Sequence, residues 1–289
     1  MDRMAATEQV QVCYRHPKNE TAVACSSCGR PICTDCMVFA AVGIKCPECA
    51  GQPTGVKRAT SRARTSAAVS RGALATKALI GINVIVYVLQ LVEGGDRNGR
   101  GGEVWDKGAL VGFQVADGEW WRLITSAFIH ASIIHLLFNM LMLWWFGSAL
   151  EALLGRARYL GIYFVSVLGG AAGALLATQA NQLTVGASGA VFGILGAGVV
   201  LERRNIMVFG GGALTVVALN LALTIFIPGI SVGGHLGGLA AGAGATLAMS
   251  RFGRGHAAYG RLGIEGIIGL VAVALICVAI AYFRVRGYA

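Results

Sequence analysis

Apolar runs of about 20 residues, the length that crosses a bilayer core, recur along this chain. They fall at about 74–92, 128–153, 159–178, 185–201, 206–227, 230–249 and 264–283. Each is predicted to be a transmembrane helix, because lipid offers backbone N–H and C=O groups no partner outside the segment itself. The first 73 residues read differently, with paired cysteines followed by a basic stretch rich in Ala, Ser and Thr. No short apolar stretch follows the initiating Met, so a cleaved signal peptide is not expected. The expected class is an all-α polytopic membrane protein preceded by a small cytosolic module.

Composition agrees. Apolar residues make up 55% of the chain and charged residues 13%, with a mean hydropathy of +0.65. A soluble domain carries roughly 25% charged residues. The net charge of +10 raises the question of nucleic acid, but its distribution points to a membrane. With the N-terminus inside, inside segments hold 18 of the 24 Lys and Arg, namely the eleven up to Lys77 and Arg156, Arg158, Arg203, Arg204, Arg251, Arg254 and Arg261. Arg97, Arg100, Lys107, Arg122, Arg284 and Arg286 fall outside. This positive-inside bias sets the orientation, with a cytoplasmic N-terminus in what is expected to be a bacterial cell membrane. Lys57, Arg58, Arg62, Arg64 and Arg71 form a flexible linker suited to anionic lipid heads. A DNA-binding arm is the alternative for that linker; no nucleic-acid partner is expected.

Polar residues inside apolar segments are costly and mark function. Read from the outer side, His130 and His135 lie in the first two turns of the second span, with Asn139 one turn deeper. Ser188 opens the fourth span, and His235 lies one to two turns into the sixth. These spans share one polarity, so their polar residues meet in one layer between the outer surface and the bilayer centre. Glycines flank Ser188 and the fourth span continues with Gly193, Gly196 and Gly198, while the sixth offers Gly233, Gly234, Gly237, Gly238 and Gly242. Small residues four apart let two helices approach closely, as a Ser188–His235 hydrogen bond requires. Such packing has its own structural value and is what permits the chemistry. A neutral imidazole can take the hydroxyl proton as Ser188 attacks a carbonyl.

None of the 14 carboxylates is expected within a span at the depth of His235. Glu151, Glu202 and Glu265 fall at cytoplasmic ends, and Asp117 and Glu119 in the large outer loop. The reading is therefore a Ser–His dyad, its imidazole oriented by packing. Phe192, one turn below Ser188, is placed to stack on it or simply to fill the core. His135 and Asn139, spaced i and i+4, face one way and can donate to an oxyanion together with the Ser188 backbone N–H; an interhelical polar clasp is the plainer alternative. His130 and His135 lack the His-Glu-x-x-His pattern of a zinc protease.

Seven of the eight cysteines lie between Cys13 and Cys49. Cys13-x2-His16, Cys25-x2-Cys28, Cys33-x2-Cys36 and Cys46-x2-Cys49 supply eight ligands, enough for two tetrahedral zinc ions. A disulfide framework would leave one thiol unpaired and does not suit a reducing cytosol. With no open ligand position, the zinc is expected to be structural, and catalysis to need no cofactor. Cys277, in the last span, reads as a small hydrophobe.

Two resemblances follow. Cys13-Tyr-Arg-His16-Pro17 through Cys25-Ser-Ser-Cys28-Gly-Arg-Pro-Ile-Cys33-Thr-Asp-Cys36 resembles a B-box-type zinc finger. That implies a cross-brace, with the first and third pairs on one ion and the second and fourth on the other; spacing alone is equally compatible with sequential pairing. Gly186-Ala187-Ser188-Gly189, His235-Leu236-Gly237-Gly238 and His130-x4-His135-x3-Asn139 resemble the rhomboid intramembrane serine proteases, as do Trp121-Arg122 and Ala149–Gly155. The likeness implies a six-helix core plus a seventh, C-terminal helix, giving four regions: 1–55 zinc module, 56–73 linker, 74–250 core, 251–289 loop and last helix. It implies Ser188 as nucleophile, His235 as base, His135 and Asn139 as oxyanion donors, and His130 as an accessory. Phe192 departs from the family pattern, where many members carry Tyr. Expected partners are membrane lipids, transmembrane protein substrates cut near the outer face where their helix is weak, and a protein partner for the zinc module. The rival readings are an inactive rhomboid-like scaffold or chaperone and a transporter, for which no internal repeat is found.

Overall fold

The structure is a computed structural model that describes residues 11–39, 43–50, 72–204, 206–250 and 263–288. The basic linker and Arg251, Arg254 and Arg261 lie outside the described residues. The chain divides into two compact units, Met1–Ala68 and Val69–Ala289.

The first unit has too few apolar residues for an ordinary core. Two antiparallel pairs, β1 (Gln11–Val12) with β2 (Glu20–Thr21) and β3 (Val38–Phe39) with β4 (Ile44–Lys45), surround buried cysteine sulfurs and the fully buried Ile32. The knuckle at Cys25 closes through Gly29, whose φ of +72° is disfavoured for a residue with a Cβ; its N–H reaches Cys25 O at 2.8 Å.

All seven apolar segments of the second unit contain helix. Their order is α1 (Leu74–Val92), three short helices in the loop that follows it, α2 (Glu103–Gly108), α3 (Gly112–Ala116) and α4 (Arg122–Thr125), then α5 (Ile133–Met142), a π-helical turn (Leu143–Gly147) and α6 (Ser148–Leu154). There follow α7 (Arg156–Ala177), α8 (Ser188–Arg203), α9 (Ala213–Phe226), α10 (Val232–Met249) and α11 (Ile264–Val285). Among the described residues four helices are long and apolar enough to cross a membrane: Leu74–Val92, Ile133–Leu154, Arg156–Ala177 and Ile264–Tyr288. The chain is a polytopic integral membrane protein. The other three are shorter or diluted by glycine, with 16, 14 and 18 residues in α8, α9 and α10.

The surface of α1 shows the solvent it is built for. Its buried stripe is small or polar (Ala75, Thr76, Leu79, Asn83, Tyr87, Gln90), whereas Ile82, Ile85, Val88 and Val92 point outward. That pattern inverts the soluble amphipathic helix, because the outer face meets hydrocarbon.

Glycines bring the central helices together. A Cβ on Gly173 of α7 would stand 2.2 Å from Gly233 O of α10, and one on Gly242 of α10 would stand 2.2 Å from Gly193 O of α8. α10 is therefore wedged backbone-to-backbone between α7 and α8. The expected α8–α10 approach is present, and α7 joins it. α11 packs on α7, where Arg284 and the Tyr288 hydroxyl donate to the carbonyls of Leu175 and Thr178 at the α7 C-terminus.

Glu151 fastens α6 to α1, accepting from the N–H groups of Ala75 and Thr76 at 3.0 and 2.8 Å and from the Thr76 hydroxyl at 2.8 Å. Glu202, at the end of α8, accepts from Phe209, Gly211 and Ala213 N–H and so starts α9 at Ala213, later than the apolar run at 206 foretold. β5 (Leu110–Val111) pairs antiparallel with β6 (Leu183–Thr184), joining the α1–α5 loop to the strand that leads into α8.

Candidate active site

Ser188 is the first residue of α8, and its backbone N–H belongs to the unpaired first turn of that helix. Gly186, two residues earlier, has φ +118°, and its N–H bonds Ser126 O at 2.9 Å. A Cβ there would lie 2.6 Å from the His135 ring, so the bend that presents Ser188 needs glycine for both conformation and space.

His235 sits in the first turn of α10. Ser231 caps that helix by accepting from Gly234 N–H at 3.0 Å. The imidazole is held on two sides. Phe192 lies parallel to it, with ring centroids 4.1 Å apart and planes 19° apart. Thr224 of α9 approaches Nδ1 with its hydroxyl at 2.6 Å. The sequence did not single out Thr224, whose bond to Asn220 O within its own helix gives no sign of the imidazole.

Ser188, His235, His135, Asn139 and Phe192 all line one cavity of about 810 Å³, which also takes in Thr224. Asn139 spends one amide hydrogen on His135 O at 2.9 Å and keeps the other. His135 Nδ1 faces the Ala131 N–H at 3.4 Å, which leaves Nε2 as the ring's N–H donor.

His130 is placed differently from the sequence expectation. It precedes α5 rather than lying in its first turn, because Ser132 is the helix cap, its hydroxyl accepting from His135 N–H at 3.1 Å. His130 is fully buried and absent from the cavity wall. Gln90 of α1 grips its backbone on both sides, at 3.0 Å each, and its ring stands 5.1 Å from that of His135. It supports the site from behind.

The loop between α1 and α5 is anchored by Arg122. This buried guanidinium donates to Asp106 O at 2.7 Å and Ala109 O at 2.6 Å, and pairs with Glu119. Trp121 is half exposed, with its indole N–H on Lys107 O at 3.1 Å.

The rhomboid domain model matches residues 117–252. This is a rhomboid domain. Among curated proteins, the chain is 32% identical over 206 residues to the rhomboid protease GluP of Bacillus subtilis (strain 168), covering 69% of this chain and 39% of GluP. RHOMBOID-like proteins 5 and 4 of Arabidopsis thaliana are 35% and 36% identical over 141 and 134 residues, covering 47% and 44% of this chain and 46% and 34% of their own lengths. The chain thus spans less than half the length of each of these relatives. The rhomboid match begins in the α1–α5 loop and takes in Ser188 and His235, but leaves the cysteine module outside it.

In that module the ligand atoms gather as two sets, Cys13, His16, Cys33 and Cys36, and Cys25, Cys28, Cys46 and Cys49, with all atoms of a set within 4.8 Å. This is cross-brace grouping. His16 Nδ1 lies 3.2 and 3.4 Å from the Cys33 and Cys36 sulfurs, and Cys28 lies 3.7 Å from Cys46. Those separations are edges of a tetrahedron with metal–ligand bonds of about 2.0–2.3 Å, and the donor sets suit zinc. Burial pushes the Cys25 thiol up, but N–H groups at Cys46, Ser27 and Cys28 outweigh it and bring it down to about 6. The Arg30 guanidinium, 3.3 Å from the Cys28 sulfur, holds that thiol below its usual range.

Proposed function

We propose that this protein is an intramembrane serine endopeptidase that hydrolyses peptide bonds of transmembrane substrates near the outer membrane face. The reading is carried by one observation. A serine at a helix N-terminus and an aromatic-stacked imidazole on a neighbouring helix line one cavity within a rhomboid domain.

In this mechanism Ser188 Oγ bonds to the substrate carbonyl carbon while its proton passes to His235 Nε2. The carbonyl electron pair moves onto oxygen. The Ser188 N–H, the free Asn139 amide hydrogen and His135 Nε2–H receive that charge as preorganised donors. Collapse expels the amine, which takes the proton from His235, and a water attacks the acyl enzyme by the same route. Phe192 holds the imidazole plane, and His130 buttresses His135. A substrate helix must unwind locally to present its carbonyl, which favours substrates with helix-weakening or small residues at the cut.

The cysteine module holds two structural zinc ions, the N-terminus faces the cytoplasm of a bacterial cell, and the module engages a protein partner. Arg30 offsets the negative charge that four thiolates place on one zinc.

Purified protein and a Ser188→Ala variant, compared on a model single-span substrate, test the reading. Cleavage and Ser188-dependent fluorophosphonate labelling are expected in the first and lost in the second. Undiminished cleavage by Ser188→Ala, or no labelling of the parent, would show a scaffold instead.

A further inference from the structure

We infer that Thr224 is the third member of a neutral proton relay, a positioning residue that fixes His235 in the tautomer able to act as base. This rests on the proteolytic reading above.

The argument is one of hydrogen counting. Thr224 is buried, and its hydroxyl makes two short contacts, to Asn220 O at 2.8 Å and to His235 Nδ1 at 2.6 Å. A hydroxyl has one hydrogen to give, and a carbonyl can only accept. Both contacts are satisfied only if Thr224 donates to Asn220 O and accepts from Nδ1–H. The opposite assignment sets two oxygen lone pairs against each other at 2.8 Å. With the proton on Nδ1, the lone pair is on Nε2, the atom needed to receive the Ser188 proton.

The relay also answers the charge that forms. When Nε2 gains a proton, positive charge spreads to Nδ1–H, which donates to Thr224 Oγ, which donates to Asn220 O. Asn220 and Thr224 lie in the last two turns of α9, where carbonyl ends carry the negative pole of the helix and stabilise a cation. Among the described residues no carboxylate lines this cavity. A polarised hydroxyl–carbonyl pair does the orienting that a carboxylate does in a Ser–His–Asp arrangement. The relay places the base under the control of α9, a helix that contributes neither nucleophile nor imidazole.

The test uses the full-length protein and the variants Thr224→Val, which keeps the shape and removes the hydroxyl, and Thr224→Ser, which keeps the hydroxyl. Thr224→Val is expected to lower kcat about 10- to 100-fold, with KM unchanged and fluorophosphonate labelling of Ser188 slowed in parallel. Thr224→Ser is expected to stay within a few-fold of the parent. In 15N-histidine spectra, the His235 signals should report Nδ1–H in the parent and in Thr224→Ser, and a mixture in Thr224→Val. Parent-like kcat in Thr224→Val, or an unchanged tautomer signal in its folded fraction, would overturn the relay. In either case the loss of cleavage in Ser188→Ala would still stand, so the two readings fail separately.

Discussion

Phe192 and His235 are one aromatic stack, with 4.1 Å between ring centroids and 19° between planes. Such contacts contribute about 0.5–1.5 kcal/mol beyond buried area. Phe192→Ala should therefore lower kcat by about 2- to 10-fold. Phe192→Tyr, which keeps the ring, should leave kcat near the parent value. Steady-state cleavage of a single-span substrate checks both, and an inactive Phe192→Tyr would show that the cavity does not accept a hydroxyl there.

Asn139 lines the cavity, and among the described residues only one of its amide hydrogens, the one on His135 O, is taken. If it receives developing charge, Asn139→Ala should reduce kcat by about 10²- to 10³-fold while KM changes little. A rise in KM at constant kcat would assign it to ground-state binding instead.

Backbone contact between α8 and α10 leaves no room for side chains. Gly242→Val, whose Cβ would meet Gly193 O at 2.2 Å, should lower the Tm in detergent sharply, at a cost of about 3 kcal/mol or more. Gly81→Ala, with open space around its Cβ in α1, is the control. It should raise Tm slightly through lost chain entropy, worth about 0.5–1 kcal/mol.

Two metal sets predict two zinc ions per chain by elemental analysis. Cys28→Ser and Cys33→Ser should each remove one, because they fall in different sets. Chelation should unfold the N-terminal unit, followed by proteolysis of residues 11–50, and leave cleavage in detergent intact. Lost cleavage on chelation would reveal coupling between the units.

The positions of the helices were legible in the sequence because lipid imposes one rule on every spanning segment, and seven apolar runs obey it. Their boundaries were less so. The start of α5 depends on which hydroxyl caps it, and Ser132 does so four residues after the expected beginning at about 128, leaving His130 outside the helix. The start of α9 depends on Glu202, a carboxylate whose three backbone partners lie seven to eleven residues away. Glycine spacing placed Ser188 and His235 on closely packed helices, and both line the same cavity. Thr224 could not be placed that way, because a hydroxyl among apolar neighbours usually bonds its own helix, and only the packing of α9 on α10 shows that its oxygen also meets an imidazole. Nor does any sequence pattern reveal Gln90 bracing His130 from 40 residues away.

The two-residue ladder of Leu110–Val111 with Leu183–Thr184 has a mechanical consequence. Only three residues separate Thr184 from Ser188, so whatever drags the loop up or down also tugs at the turn that presents Ser188. A bilayer too thick or too thin for this protein is expected to reach the Ser188 hydroxyl through that tie.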